Sequence, residues 1–321
     1  MRSFLSKFSD PMIMLLLAAT VLANIWPVMG EAREMAQSIA NFGVFVLFLV
    51  NGMRIKRSEI LAGFANWRFF APLGLWVFGA MALAGLGISK LAGLYLDPKI
   101  ALGFLFLGCL PSTIQSATSY TTLAGGNIAL SVVGAALINI AGVFVTAPLF
   151  ALLGGGAAGE LGSEVIEKIG LILLLPFIIG QAVQGWTYEW VSERKAKIVW
   201  LDRIVIAILV YVAFSGAIEG GLATMFTAST AAILFAITGG FMLAANAAAW
   251  QVSGLLGYKR GDRIAFLFAG AQKSVAIGAP LAAIMFAPEV AGFVIAPLLL
   301  YHLLQLILAA PLASHFKQSE V

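Results

Sequence analysis

The sequence predicts an all-α integral membrane protein. Ten transmembrane helices form two inverted five-helix repeats, with the fourth and ninth helices discontinuous and crossed. Three observations lead there. Hydrophobic residues make up 61% of the 321 and charged ones only 11%, with a mean hydropathy of +0.99, a membrane composition. Ten apolar stretches are each long enough to cross about 30 Å of hydrocarbon. One segment occurs twice, as FLFLGCLPSTIQSA from Phe104 to Ala117 and as FLFAGAQKSVAIGA from Phe266 to Ala279, an offset of half the chain.

The first span, near 11–29, follows Arg2 and Lys7 and has the form of a signal peptide. Its removal would leave nine spans and break the repeat, so it is read as the first helix. The second, near 37–53, ends at Asn51-Gly52, and the third, near 69–89, leads to Leu91-Ala92-Gly93. The fourth, near 100–124, carries the first copy and breaks at Pro111-Ser112-Thr113, because proline lacks an N–H and its ring clashes with the preceding turn. The fifth, near 128–153, carries Ala147-Pro148-Leu149 and gives way to a Gly/Ala-rich linker, Leu153 to Gly159. No strand precedes that linker and no Lys-Ser/Thr closes it, so it is not a phosphate loop.

The second half repeats the order. Spans six to ten fall near 165–187, 203–218, 226–250, 263–286 and 290–313. Ser215-Gly216 answers Asn51-Gly52, Leu255-Leu256-Gly257 answers Leu91-Ala92-Gly93, and Ala310-Pro311-Leu312 answers Ala147-Pro148-Leu149. Matches at one nearly constant spacing argue for homologous halves, residues 1–158 and 159–321. Five helices per half is an odd number, so the second half enters the membrane from the opposite side. The ten-residue alternation of a membrane barrel is absent.

Charge sets the topology. With the N-terminus in the cytoplasm, fourteen of the nineteen Lys and Arg fall on that side, Arg33, Lys90, Lys99 and Lys168 fall outside, and Lys273 lies within a span. Both termini are predicted to be cytoplasmic, in a bacterial inner membrane. The basic patches are topology signals rather than a nucleic-acid surface. The single cysteine, Cys109, excludes an intrachain disulfide and sits in a span as a small buried residue.

The two breaks are the candidate site. A break frees backbone groups that are tolerated only where protein or a water-filled cavity satisfies them. The half-helices beyond each break point positive dipole ends inward, which suits an anion. Pro111, Ser112, Thr113, Gln115 and Ser116 in the first break, and Gln272, Lys273 and Ser274 in the second, are therefore the expected substrate-binding residues. A lysine near the bilayer centre is disfavoured by about 2.5–3.5 kcal/mol on insertion scales, which marks Lys273 as functional. All fifteen Asp and Glu lie in loops or at span ends, so none is placed to pair with it. Such an amine can take up a proton when substrate or water arrives, a route to proton coupling. Asn139, Gln181, Asn246, His302 and Gln305 read as interhelical hydrogen-bond partners. His302 has no second ligand at metal spacing, and no nucleophile stands with a base, so neither metal site, cofactor nor enzyme activity is expected.

Gly108-Cys109-Leu110-Pro111, then Ser116 and Gly126-Asn127-Ile128-Ala129-Leu130-Ser131, resemble the bile acid:sodium symporter family. Gln272-Lys273-Ser274 with Ile277-Gly278-Ala279-Pro280 resembles the branch that has a Lys-Ser pair in the second broken helix. The resemblance covers the whole chain. It implies a panel subdomain of helices one, two, six and seven and a core subdomain of three to five and eight to ten. It also implies cation-binding positions at Ser116, Ser131 and Gln272. Where sodium-coupled members carry an Asn and a Glu, this chain has Ala117 and Phe268, and Lys273 would repel a neighbouring cation.

The expectation is a secondary transporter of a small organic anion, working by alternating access, proton-coupled or uncoupled rather than sodium-coupled. A sodium-coupled bile-acid-like symporter and a cation:proton antiporter are the alternatives; the second lacks intramembrane carboxylates. Expected partners are the organic anion and the lipid bilayer, with no nucleic acid, as monomer or homodimer.

Overall fold

In the computed structural model, which describes residues 11–58, 66–155, 167–225 and 227–318, the chain is helical with no strand among the described residues. Each of the ten apolar windows falls on a helix or a broken pair. The elements are α1 Pro11–Ile25, α2 Gly30–Arg54, α3 Trp67–Ala92, α4 Pro98–Cys109, α5 Ile114–Leu123, α6 Ile128–Gly154, α7 Glu167–Glu193, α8 Lys195–Glu219, α9 Ala228–Leu255, α10 Arg260–Ala271, α11 Val275–Met285 and α12 Pro288–Gln318. Among the described residues eight helices, one of them formed by α10 and α11 together, are long and apolar enough to cross a membrane. Nine are, if α4 and α5, bent by 63°, count as one span. The protein is an integral, multi-pass membrane protein.

Two expectations are adjusted. Helix α1 has 15 residues, fewer than the ~20 a span requires; residues 1–10, which precede it, lie outside those described. Helix α2 begins at Gly30 rather than near 37, because Glu-Ala-Arg-Glu-Met-Ala-Gln is a good helix-forming run that adds polar turns to the apolar window. Most of the Gly/Ala-rich linker expected at 153–159 lies outside the described residues.

The chain divides into two compact units. One comprises the described parts of Met1–Arg57, Gly155–Thr227 and Gly278–Ile295. Within it α2 and α7 cross at two glycines: a Cβ on Gly52 would lie 2.3 Å from the Phe177 carbonyl, and one on Gly180 would lie 2.2 Å from that of Leu49. The absent side chains let the backbones touch, the usual way for membrane helices to pack without a hydrophobic driving force. The Gln181 amide then donates to the carbonyls of Gly52 at 2.6 Å and Ile55 at 3.1 Å, closing the end of α2. At the opposite ends, Arg33 of α2 pairs with Glu219 of α8 and, at 2.9 Å, with Glu289 of α12.

The other unit comprises the described parts of Ser58–Gly154, Ala228–Ile277 and Ala296–Val321. Helix α3 contains Pro72 and widens into a π stretch at Leu75–Ala80, directly after the proline has removed one ladder hydrogen bond. Asp97 caps α4, its carboxylate accepting from the Lys99 amide at 2.8 Å, with Pro98 at the first helical position. Helices α3 and α4 meet at Gly85 and Gly108, where a Cβ on either would lie 2.7 Å from a carbonyl of the other helix. Fully buried Phe104, Phe106, Phe150, Phe266 and Phe268 fill the interior. Ile264 to Ala271 of α10 are all buried, and 94% of an 18-residue window within Arg260–Met285 is buried, against at most half of the corresponding window of any other candidate span among the described residues.

Candidate functional site

Helices α4 and α5 leave Leu110 to Thr113 without helical bonds, and α10 and α11 leave Gln272 to Ser274. Both breaks belong to the second unit and meet backbone to backbone: the Ser274 amide donates to the Pro111 carbonyl at 3.1 Å. The Pro111 ring packs on α6 at Gly142, where a Cβ would lie 2.5 Å from the proline Cγ.

The carbonyls that α4 leaves at its end are each taken by a specific donor. Lys273 Nζ donates to the carbonyl of Gly108 at 2.9 Å and to that of Leu110 at 2.7 Å. Thr146 Oγ1 donates to Cys109 at 3.1 Å, and Asn139 Nδ2 to Ser112 at 2.7 Å. With Pro111 held by Ser274, five consecutive carbonyls from Gly108 to Ser112 are satisfied. At the second break, Trp76 Nε1 donates to Gly270 at 3.2 Å and the Tyr301 hydroxyl to Ala271 at 2.5 Å. Gln305 clamps Lys273 itself, accepting from its amide at 2.8 Å and donating to its carbonyl at 3.0 Å.

Lys273 is completely buried, and among the described residues no carboxylate pairs with it. Its charge instead faces the carbonyl end of α4, where the helix dipole places about half a negative charge. No carboxylate in the sequence is placed to pair with the amine; its actual partners are main-chain oxygens, which every residue carries and no motif announces.

Of the other expected site residues, Pro111, Ser112, Gln272 and Ser274 are buried with Lys273, and Ser116 reaches across to donate to Gln272 Oε1. Thr113 is half-buried and Gln115 is exposed. Ser131 lies elsewhere in the hydrogen bonding: it accepts from Thr121 Oγ1 at 3.1 Å rather than joining Ser116 and Gln272. Ala117 and Phe268 are fully buried, and the Phe268 ring lies 5.9 Å from that of Tyr120, so both of these positions present apolar surface. The hydroxyls of Ser112 and Thr118 and the Gln272 Nε2 are buried with no hydrogen-bond partner. A cavity of about 510 Å³ is lined by Gln272, Gln305 and Asn246 against Met242, Leu267 and Trp250.

Sequence reasoning missed Tyr301, Trp76 and Thr146, whose only signal is a polar atom on a helix facing a break. It also missed a second junction. Asn127, at the start of α6, donates from Nδ2 to Asp262 at 2.8 Å and from its amide to the Gly261 carbonyl at 2.9 Å, tying α6 to the start of α10. Nearby, the Tyr258 hydroxyl donates to the Arg68 carbonyl at 2.7 Å, and burial first, then the Asp262 charge, pushes its pKa up.

Comparison with known proteins gives a consistent picture. A family model described as the SBF-like CPA transporter family matches residues 10–318. The chain is 34% identical over 316 residues to the uncharacterized protein PA2026 of Pseudomonas aeruginosa, covering 96% of this chain and 92% of that one. It is 33% identical over 322 residues to the Escherichia coli protein named "Putative symporter YfeH", covering 98% and 95%. Sodium/bile acid cotransporter 7 of the mouse is 23% identical over 294 residues, covering 87% and 83%.

Proposed function

Because this chain belongs to the SBF-like CPA transporter family, we propose that it carries a small organic anion by alternating access, through a site where the two broken helices cross. That it is a membrane transporter and not an enzyme follows from the family and its named relatives. The finer reading rests on one observation: two helix breaks are joined by the Ser274 to Pro111 hydrogen bond, with a buried lysine between them. Unwound backbone and half-helix ends at a crossover are how secondary transporters build a site inside the bilayer. The positive ends of α5 and α11 and the amine of Lys273 favour an anion. Unpartnered Ser112, Thr118 and Gln272 groups supply hydrogen bonds for its polar end. Matching motifs in the two halves support inverted repeats. Helices one, two, six and seven fall largely in one compact unit and three to five and eight in the other, in keeping with panel and core subdomains. The charge distribution favours cytoplasmic termini, in the inner membrane if the source is bacterial.

Sodium-coupled symport is the competing reading, since the mouse relative bears the name sodium/bile acid cotransporter. Buried Ala117 and Phe268, and a Ser131 hydroxyl bonded to Thr121 rather than to Ser116 or Gln272, weigh against a sodium site. We favour proton-coupled or uncoupled transport through Lys273.

The test begins with purified protein screened by thermal shift against carboxylates and sulfonates, followed by uptake of a stabilising anion into proteoliposomes. The expected result is uptake that ignores a sodium gradient and is lost or altered in pH dependence in Lys273→Gln. Uptake that follows a sodium gradient and ignores a proton gradient sinks this reading.

A further inference from the structure

The Lys273 side chain does something that its role as a substrate-facing charge does not require. Its amine donates to two carbonyls of one helix end, Gly108 and Leu110, on either side of the Cys109 carbonyl that Thr146 takes. The amine is wholly enclosed. Carbonyl oxygens converging at the negative end of a helix make a cation site, the same donor set by which channel filters strip water from an ion. Left empty in a dry interior, each of those oxygens would cost free energy as an unmet acceptor. Something positive, or a hydrogen-bond donor, has to sit there for the first break to exist.

We propose that Lys273 is a cation built into the chain: its ammonium occupies the carbonyl site at the end of α4, so the crossover is held together with no free ion. Two features of the surroundings agree. The amine is wholly buried, and among the described residues no carboxylate pairs with it. The main chain from which the ammonium reaches is also fixed, since Gln305 holds both the amide and the carbonyl of Lys273. This inference deepens the transporter reading, on which its bearing on ion coupling rests. Its structural content stands apart from transport.

Cutting the side chain back tests it. Lys273→Ala removes three carbons and the ammonium, the outline of propylammonium. In detergent, the wild-type melting temperature is expected to be equal in sodium and choline chloride at matched ionic strength. That of Lys273→Ala is expected to fall by on the order of 5 °C. Propylammonium chloride should restore at least half of that loss in a saturable way. Tetramethylammonium, which has the charge but no N–H, should not. Any saturable stabilisation by sodium is expected only in the variant, and saturable stabilisation of the wild type by sodium overturns the proposal. So does a variant that is as stable as wild type and indifferent to propylammonium. If Lys273→Ala gives no folded protein, growth and purification with propylammonium replace the melting assay. Recovered monodisperse protein supports the built-in cation, and continued absence of folded protein overturns it. None of these readouts requires uptake, so their failure leaves the transporter reading untouched. Normal amine rescue without any uptake would sink only that reading.

Discussion

The Ser274 amide and the Pro111 carbonyl lie 3.1 Å apart, so the two broken helices are joined by main chain and not only by side chains. Substitution by proline removes that donor and sets the ring Cδ in place of its hydrogen, against the Pro111 carbonyl. Ser274→Ala should purify like the wild type. Ser274→Pro strands a buried carbonyl at a cost of roughly 1–3 kcal/mol, and size-exclusion yield and melting temperature should both drop.

Backbone contact between α3 and α4 depends on Gly85. Its Cβ would meet the Phe104 carbonyl at 2.7 Å, whereas Gly87, two residues on in the same helix, has nothing within 4 Å. Gly85→Ala is therefore expected to lower the melting temperature sharply. Gly87→Ala should leave it unchanged or raise it, since alanine is favoured over glycine in a helix by about 1 kcal/mol. Equal effects of the two substitutions would contradict the close approach.

Pro111 and Gly142 form a matched pair. A Cβ at 142 would lie within 3.0 Å of three atoms of the proline ring, and Pro111→Gly removes those atoms. A double-mutant cycle in thermal stability should show Gly142→Ala costing less on the Pro111→Gly background, with a coupling of roughly 0.5–3 kcal/mol.

Gln305 holds the backbone of Lys273 at both its amide and its carbonyl. Gln305→Leu keeps much of the volume but orphans both groups, so a loss of roughly 1–3 kcal/mol for each is expected. The melting curve of purified protein checks it. A substituted protein as stable as wild type would mean that other donors and acceptors replace the amide.

Much of this arrangement was legible in the sequence because covalent structure dictated it. Pro111 followed by Ser112 and Thr113 interrupts a helix where Pro72, among apolar neighbours in α3, does not, and a polar Gln-Lys-Ser run inside an apolar window has to find polar company, so both breaks fall where the sequence predicts them. The ten windows landed on helices because long apolar runs leave few alternatives. What the breaks touch was not legible. The partners of Lys273, Asn139 and Thr146 are carbonyls, and a carbonyl looks alike at every position of a chain. Gln305 read as one more polar residue on an apolar helix, though it fixes the backbone of Lys273. Ser131 matched a family position by motif but spends its hydroxyl on Thr121, a pairing between neighbouring helix faces that linear spacing does not reveal. The π stretch at Leu75–Ala80 left only Pro72 as a hint.

Burial sets α10 apart in what holds it. The span Arg260–Met285 has a mean hydropathy of 1.4, below the other seven, and 94% of an 18-residue window within it is buried. A helix that meets so little lipid gains little from lipid, and what keeps it in the membrane is the place made for it by other helices, α12 among them, whose Tyr301 and Gln305 hold the break at its end. It is in that sense docked rather than dissolved. The freedom from lipid is also what permits the chain to carry a lysine at the end of that helix, a residue that a helix bathed in acyl chains could ill tolerate.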